Sequence, residues 1–222
     1  MARRHDIAQG VVVIGLGRFG KSLALELMAD GVEVLGIDAD ARVVQSLAGR
    51  LTHVVESDST NEEAMRQLSV QTFDRAVIGV GTDLEASILS ASVLVTLGVR
   101  NIWAKAISAA HARILSQVGV HHVVRPEHDM GRRVAHLVRG RMLDYIEFDD
   151  GYAIVKTRPP KGIHDLPLGE THIRSKYGVT IVGVKRAGED FTHATASTVV
   201  KQGDLIIVSG PQEKVERFSE MP

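Results

Sequence analysis

VVVIGLGRFG, residues 11–20, places four apolar residues directly before a glycine-rich turn. A buried strand followed by G-x-G-x-x-G and a helix is typical of the first turn of a βαβ nucleotide-binding unit. Gly15 permits a tight exit from the strand, Gly17 lets the backbone approach a phosphate, and Gly20 lets the helix pack closely on the sheet. The helix, predicted from Phe19, would present its free N–H groups to an anion.

Five more β-rich runs follow and alternate with helical patterns. The runs are VEVLGID (32–38), THVVE (52–56), RAVIGV (75–80), RNIWAKA (100–106) and HHVVR (121–125). Apolar residues at helical spacing predict helices over 19–29, 41–48, 61–68, 84–97 and 109–118. Strands that alternate with helices form parallel sheets, so we predict an α/β fold with a Rossmann-like six-stranded parallel sheet.

The pattern changes after the sixth strand. Met130–Leu143 is predicted to be a long helix with Val134, Leu137, Val138 and Leu143 on one side. Four β-rich runs (YIEF, YAIVKTR, VTIVGVKR and DLIIVSG) then alternate with turn formers, and a short helix is expected over 213–218. We therefore predict two domains, a nucleotide-binding domain over 8–143 and a small α+β domain over 144–222.

Composition excludes several classes of function. The 222 residues contain 26 Lys and Arg against 27 Asp and Glu, so no global field favours a nucleic acid. There is no cysteine, which removes disulfides and thiolate metal sites and fits a reducing cytoplasm. No segment approaches 18 uninterrupted apolar residues, and we expect no direct membrane insertion.

Two charged residues near the glycine turn suggest the ligand. Asp38 closes the second predicted strand, where its carboxylate could accept both ribose hydroxyls and would disfavour a 2′-phosphate. The alternative is an ordinary carboxylate that caps the next helix. Arg18 could pair bidentately with phosphate oxygens, which would suit a ligand with more charge than one pyrophosphate. The alternative is a solvated arginine in the first helical turn.

Three further residues follow the carboxyl ends of predicted strands, where open parallel sheets bind ligands. Lys105 ends the fifth strand and could contact phosphate, while Glu127 follows the sixth and could ligate a divalent ion or contact a neighbouring subunit. Asp58, after the third strand, is placed to meet the adenine or the ribose. The alternatives are surface charges for Lys105 and Glu127 and a neighbour of a helix N-cap for Asp58.

The motifs GLGRFG, GIDAD, ESDST, VGTDLEASILS, NIWAKA and RPEHDMGRRVA occur in this order. They closely resemble the KtrA/TrkA regulatory subunits of bacterial potassium uptake systems, whose N-terminal part is an RCK (KTN) domain. IRSKYGVTIVGVKR and GDLIIVSG resemble the small C-terminal RCK domain of that family. The resemblance covers nearly the whole chain, and RPEHDMG is its most specific stretch.

The resemblance implies a regulatory subunit rather than an enzyme. In the family, RCK dimers assemble into a cytoplasmic octameric ring, peripheral to the cell membrane, under a potassium-conducting subunit of the KtrB/TrkH type. ATP favours the active ring and ADP the inactive one, and NAD or NADH binds some members. The resemblance also implies a role for each matching position. Asp38 binds ribose, Asp58 lies near the base, and Lys105 binds phosphate. Arg18 and Glu127 lie near the γ-phosphate and a divalent cation (Mg or Ca), and the turn itself is formed by Gly15, Gly17, Phe19 and Gly20.

Some relatives also bind cyclic di-AMP between their C-terminal domains, and Ile173 and Arg174 match positions used there. Two other functions stay open at this point. One is an NAD-dependent oxidoreductase, although residues 144–222 offer no acid/base group positioned for hydride transfer. The other is a nucleotide or cyclic di-AMP sensor that acts on a different partner.

Overall fold

The N-terminal unit is a parallel sheet with helices on both faces, as the sequence predicts. The computed structural model describes residues 10–222, so positions 8 and 9 of the predicted first domain lie outside the described residues. The strands are β1 (Val11–Ile14), β2 (Val34–Asp38), β3 (His53–Glu56), β4 (Arg75–Ile78), β5 (Asn101–Lys105) and β6 (His122–Val124). Their order is β3-β2-β1-β4-β5-β6, which is the doubly wound Rossmann order.

Five helices connect these strands: α1 (Arg18–Ala29), α2 (Ala41–Leu47), α3 (Glu62–Gln67), α4 (Leu84–Thr96) and α5 (Ala109–Val118). Side chains cap the N-termini of the last four, from Asp40, Asn61, Asp83 and Ser108. Each accepts a backbone hydrogen bond from the first turn, which stabilises a helix start by about 1 kcal/mol. A 3₁₀ helix over Val70–Thr72 follows α3.

The central strand β1 is buried on both faces because its four residues are all apolar. Val12 and Ile14 belong to one core, together with Ile37, Ile78 and other side chains that α4 and α5 help to enclose. Val11 and Val13 belong to a second core, on the side of α1 and α2. An unbroken apolar run is what a strand covered on both faces requires.

The helix α6 (Pro126–Arg139) begins and ends four residues earlier than predicted. Proline is favourable at the first helical position because its missing N–H has no helical partner there. The polar residues after Pro126 carry no apolar periodicity, which is why the sequence pattern misses this start. Leu143 consequently lies outside the helix. Contacts within the chain divide it between Glu127 and His128, whereas the sequence places the division at 143/144.

The C-terminal unit contains an antiparallel sheet with the order β10-β9-β11-β8-β7. Its elements are β7 (Asp144–Phe148), β8 (Tyr152–Thr157), α7 (Ile173–Tyr177), β9 (Thr180–Lys185), β10 (Thr192–His193), β11 (Leu205–Pro211) and α8 (Gln212–Ser219), with 3₁₀ turns over Asp149–Gly151 and Lys161–Ile163. Val155 and Val208 on the sheet, with Val215 and Phe218 on α8, are central to its core. Neither α7 nor β10 is predicted from the sequence.

No helix within residues 10–222 is both long enough and apolar enough to cross a membrane.

Candidate functional site

The glycine turn lies where the strand order reverses, between β1 and β4. Gly15 has a φ of +80°, a conformation that glycine adopts without strain, and its N–H donates to the carbonyl of Ile37 at 2.8 Å. A Cβ on Gly15 would lie 2.8 Å from the backbone nitrogen of Val80. Both the backbone conformation and the close packing therefore require glycine at this position.

Gly20 and Gly79 bring α1 and the end of β4 against the same turn. A Cβ on Gly20 would collide with the carbonyl oxygen of Gly15, and a Cβ on Gly79 would lie 2.7 Å from that oxygen. The N–H of Gly79 donates to the carbonyl of Ile14 at 2.7 Å. Gly20 thus has the packing role that the sequence predicts, and Gly79 is a packing glycine that the sequence analysis did not single out.

Gly17 differs from these glycines because the protein itself does not require it. Apart from Gly17 itself and its two chain neighbours, no protein atom lies within 4 Å of the position where its Cβ would stand, and its φ of −62° suits any residue. Gly17 is the N-cap of α1, and no side chain caps this helix. The open space and the uncapped N–H groups fit a phosphate, which the positive end of the helix dipole would attract.

Asp38 connects the end of β2 to the glycine turn. Its Oδ2 accepts a hydrogen bond from the backbone N–H of Leu16 at 2.6 Å, and its Oδ1 accepts one from Asp40 at 2.9 Å. Each carboxylate oxygen has two lone pairs, so both keep acceptor capacity for ribose hydroxyls. The carboxylate therefore has a structural task in addition to the predicted ligand contact.

Arg18, Phe19, Lys105 and Glu127 come together at this edge of the sheet. The Lys105 ammonium donates to Glu127 Oε1 at 2.5 Å and lies 6.0 Å from the centre of the Phe19 ring. The Lys105 side chain is only 13% exposed, whereas that of Glu127 is 65% exposed. Lys105 is thus held in the site, and Glu127 is its solvent-facing partner.

The charges of these residues act on one another. The Lys105 hydrogen bond lowers the pKa of the Glu127 carboxyl, with smaller contributions from the Glu127 backbone N–H and from the Lys105 and Arg18 charges. The Arg18 charge therefore reaches Glu127 within one chain. Within residues 10–222 no three His, Asp or Glu side chains are grouped to hold a metal ion. Glu127 could therefore supply one ligand to a cation, and further ligands would have to come from a nucleotide or a second chain.

We expect the Lys105–Glu127 ion pair to survive to acidic pH. A carboxyl group whose pKa is lowered by folding stabilises the folded state above its unfolded pKa, and this contribution is lost as the pH falls through the folded pKa. A carboxyl carbon NMR titration should show Glu127 ionising below the ordinary value of 4.5. The Lys105→Gln variant should return the midpoint toward that value, and an unchanged midpoint would contradict the pairing.

Asp58 contacts its own loop. Its Oδ1 accepts hydrogen bonds from the N–H and the hydroxyl of Thr60, at 2.9 and 2.7 Å, and these bonds lower its pKa. This arrangement shapes the turn before α3 and corresponds to the structural alternative raised above. No described contact joins Asp58 to the glycine turn, so its contact with a base stays a prediction.

Ile173 and Arg174 belong to the C-terminal unit, where they begin α7. Both line an open cleft of about 510 Å³, together with residues of β9 and of the segment around Ala194. Ile173 is buried, and Arg174 is exposed and donates through Nε to the Thr180 hydroxyl at 3.3 Å. The pair therefore offers an apolar wall and a guanidinium to the same cleft.

Gly79 and Gly81, which were not predicted from the sequence, also border the candidate site of the N-terminal unit. Gly79 packs on the glycine turn, and a Cβ on Gly81 would lie 3.1 Å from the Lys105 ammonium. Gly81 thus leaves room for the lysine. The sequence signal is GVG at 79–81, directly after the fourth strand.

A glycine turn at the reversal point of a 3-2-1-4-5-6 sheet, followed by an acid at the end of β2, defines a Rossmann-type protein. The family model for the TrkA-N domain matches residues 11–126, and that for the TrkA-C domain matches residues 152–221. The chain belongs to this family of TrkA-N and TrkA-C proteins, which confirms the resemblance found in its motifs.

Individual relatives agree with this assignment. The chain is 37% identical to Ktr system potassium uptake protein C of Bacillus subtilis, over 94% of this chain and 95% of the relative. It is 34% identical to Ktr system potassium uptake protein A of Vibrio alginolyticus, over 91% and 93%. The solved GsuK channel bound to NAD shares the fold, with a TM-score of 0.68 at 17% identity over 99% of this chain and 41% of that one.

Proposed function

We propose that this chain is a regulatory, non-catalytic subunit of a potassium uptake system, and that an adenine nucleotide bound at the glycine turn switches its conformation. The observation that carries the proposal is the cluster of Arg18, Lys105 and Glu127 beside the uncapped start of α1. This cluster occurs in a chain that is similar to Ktr potassium uptake proteins over nearly its whole length. Its partner would be a membrane potassium-conducting subunit of the KtrB/TrkH type.

ATP and ADP are the nucleotides that best match the charges at this site. The α1 N-terminus and Lys105 suffice for a pyrophosphate, and Arg18 adds a cation for a third phosphate. Glu127 could then share a divalent cation, Mg or Ca, with the nucleotide or with a second chain. NAD or NADH remains the alternative ligand, because it presents the same ribose to Asp38 and the same pyrophosphate to the turn.

Gating requires that two conformations bind the nucleotides differently. A tenfold ratio of affinities supplies about 1.4 kcal/mol per site. In an octameric ring of four dimers, roughly eight sites would supply about 11 kcal/mol, and about 5.5 kcal/mol moves a two-state equilibrium from one extreme to the other. We propose such a ring at the cytoplasmic face of the membrane, because assembly multiplies a small difference at each site.

Replacing Arg18 by alanine tests whether its guanidinium contacts the γ-phosphate of ATP. We expect the variant to lose about tenfold in ATP affinity and to keep ADP affinity largely intact, since only ATP has a third phosphate for the guanidinium. Calorimetric titration of both nucleotides measures the two affinities. Arg50→Ala is the matched control. Arg50 is also exposed, but it precedes β3 and so lies toward the amino ends of the parallel strands, whereas the glycine turn lies at their carboxyl ends. An equal loss for ATP and ADP would contradict this role.

The cleft beside α7 favours a second candidate function, the binding of cyclic di-AMP. Ile173 would cover an apolar face of the ligand and Arg174 would pair with a phosphate. We expect Arg174→Ala to weaken cyclic di-AMP binding about tenfold in calorimetry and to leave ATP binding unchanged. Failure of the native chain to bind cyclic di-AMP would remove this function without affecting the nucleotide proposal.

A further inference from the structure

A second cleft of the C-terminal unit lies between α7 and α8 and concentrates positive charge. Its volume is about 460 Å³, and Lys176, Lys214 and Arg217 line it together with the aromatic rings of Tyr177 and Phe218. Arg174 also borders it, but its guanidinium donates to Thr180, which lines the neighbouring cleft. Arg174 thus lines both clefts, whereas Lys176, Lys214 and Arg217 line only this one, which we call the α7–α8 cleft.

The three cations have no acidic partner within the part of the chain that the structure describes. No Asp or Glu side chain lines the α7–α8 cleft, and none of the three cations forms an ion pair with a described carboxylate. Two other arginines of the same unit, Arg132 and Arg133, are paired with carboxylates. Arg132 contacts Glu147 at 2.6 Å and Arg133 contacts Asp144 at 2.5 Å. Like charges that share a cleft repel each other, and a bound anion would relieve that repulsion.

Gly178 leaves room for the Lys214 side chain in the cleft because it has no Cβ. Gly178 ends α7 with a φ of +70°, and a Cβ there would lie 2.7 Å from the Lys214 ammonium. The floor of the cleft is formed by the aromatic rings of Tyr177 and Phe218. These rings pack edge to face with their centroids 5.6 Å apart, and Phe218 is only 1% exposed. Lys176, Lys214 and Arg217 are all exposed, so a soluble anion can reach them above this apolar floor.

We infer that the α7–α8 cleft binds a compact, soluble polyanion with at least two phosphate groups through Lys176, Lys214 and Arg217. One phosphate carries at most two negative charges near neutral pH, so three cations match a diphosphate better than a single phosphate. This site is separate from the glycine turn and does not depend on the nucleotide proposal. Its ligand could also be presented as a lipid headgroup, and the experiment below distinguishes the two sources.

Calorimetric titration of inorganic pyrophosphate tests the inference in the native full-length chain and in Arg18→Gln/Lys105→Gln, the background that removes the cations of the glycine turn and in which the losses at the α7–α8 cleft are measured. Each cation makes a charge-assisted contact worth about tenfold in affinity, so Lys214→Gln/Arg217→Gln should lose about 100-fold and Lys176→Gln about tenfold. Lys201→Gln, an exposed lysine of the same unit, should bind like the native chain. Thermal melting of each variant establishes that it is folded.

Two further experiments distinguish the α7–α8 cleft from the neighbouring sites and a soluble ligand from a lipid headgroup. Pyrophosphate binding that survives in Arg18→Gln/Lys105→Gln and in Arg174→Gln places it outside the glycine turn and the cyclic di-AMP cleft. In the Arg18→Gln/Lys105→Gln background, where the glycine turn has lost its two cations, binding that survives the further changes Lys214→Gln/Arg217→Gln in a folded protein would overturn the inference, as would no pyrophosphate binding at all. Sedimentation with vesicles that contain cardiolipin, whose headgroup carries two phosphates, that depends on Lys214 and Arg217 and occurs without pyrophosphate binding would overturn the proposal of a soluble ligand and would assign the cleft to a lipid headgroup.

Discussion

Gly20→Ala should lower the free energy of unfolding by about 3 kcal/mol, because the new methyl group would collide with the carbonyl oxygen of Gly15. In an ordinary helix the same substitution stabilises by up to about 1 kcal/mol, so the sign itself is diagnostic. To relieve the collision, α1 would have to move away from the turn and carry its N-terminus out of position. Urea unfolding measures the stability, and calorimetry should show that nucleotide affinity falls at the same time.

Gly17→Ala is the matched control for this prediction. Its added methyl group meets no protein atom, so the stability should stay within about 0.5 kcal/mol of the native value. The methyl group would occupy the space that we assign to phosphate, and nucleotide affinity should fall about tenfold or more. If Gly17→Ala bound nucleotide like the native chain, the phosphate would not lie at this turn. A fully stable Gly20→Ala variant would contradict the packing described for α1.

Asp38→Ala should weaken ATP, ADP and NAD binding by at least about tenfold each, because all three ligands carry the ribose that its carboxylate would accept. It should also lower the free energy of unfolding by about 3 kcal/mol. The carboxylate accepts two backbone hydrogen bonds, from Leu16 at 2.6 Å and from Asp40 at 2.9 Å, and bonds to charged groups are the stronger kind.

Asp30→Ala is the control for Asp38, since Asp30 is exposed and caps the end of α1 away from the turn. Its variant should keep both stability and nucleotide affinity. Asp38→Asn separates the two roles of the carboxylate. The amide oxygen can still accept one backbone bond, so stability should partly recover while ligand affinity stays low. Unchanged affinity for all three nucleotides in Asp38→Ala would contradict the ribose assignment.

The sheet could be predicted because the strands of the N-terminal unit carry a strong local signal. Val11–Ile14 and Val34–Asp38 are short apolar runs next to glycine turns, and a strand buried on both faces needs such a run. The start of α6 could not be predicted in the same way. Its first turn is polar and contributes nothing to the core, so only Pro126 indicates it.

The positions of the candidate site residues could be predicted from the sequence, whereas their binding of a nucleotide stays a prediction. Glycines 15 and 20 and the acid at 38 occupy positions that the phosphate turn requires, and the strand ends identify Lys105 and Glu127. The hydrogen bond between Lys105 and Glu127 joins residues 22 positions apart, so only the folded chain reveals it. The same is true of the second task of Asp38, which binds the backbone of Leu16 across the turn.

Less of the C-terminal unit could be predicted from the sequence. The helix α7 has five residues and β10 has two, which is too short for either period to appear in the sequence. The three cations of the α7–α8 cleft are 176, 214 and 217, and the sequence shows them as two unrelated groups. Their grouping depends on α8 packing beside α7, which is a tertiary feature that local patterns do not contain.

Potassium flux tests the proposed function most directly. The membrane potassium-conducting subunit would be reconstituted in vesicles with this chain, and rubidium uptake measured with ATP, with ADP and with neither nucleotide. We expect uptake to be higher with ATP than with ADP, and the difference to shrink in Arg18→Ala but not in Arg50→Ala. Equal uptake under all three conditions, whether this chain is present or absent, would contradict a nucleotide-gated potassium subunit.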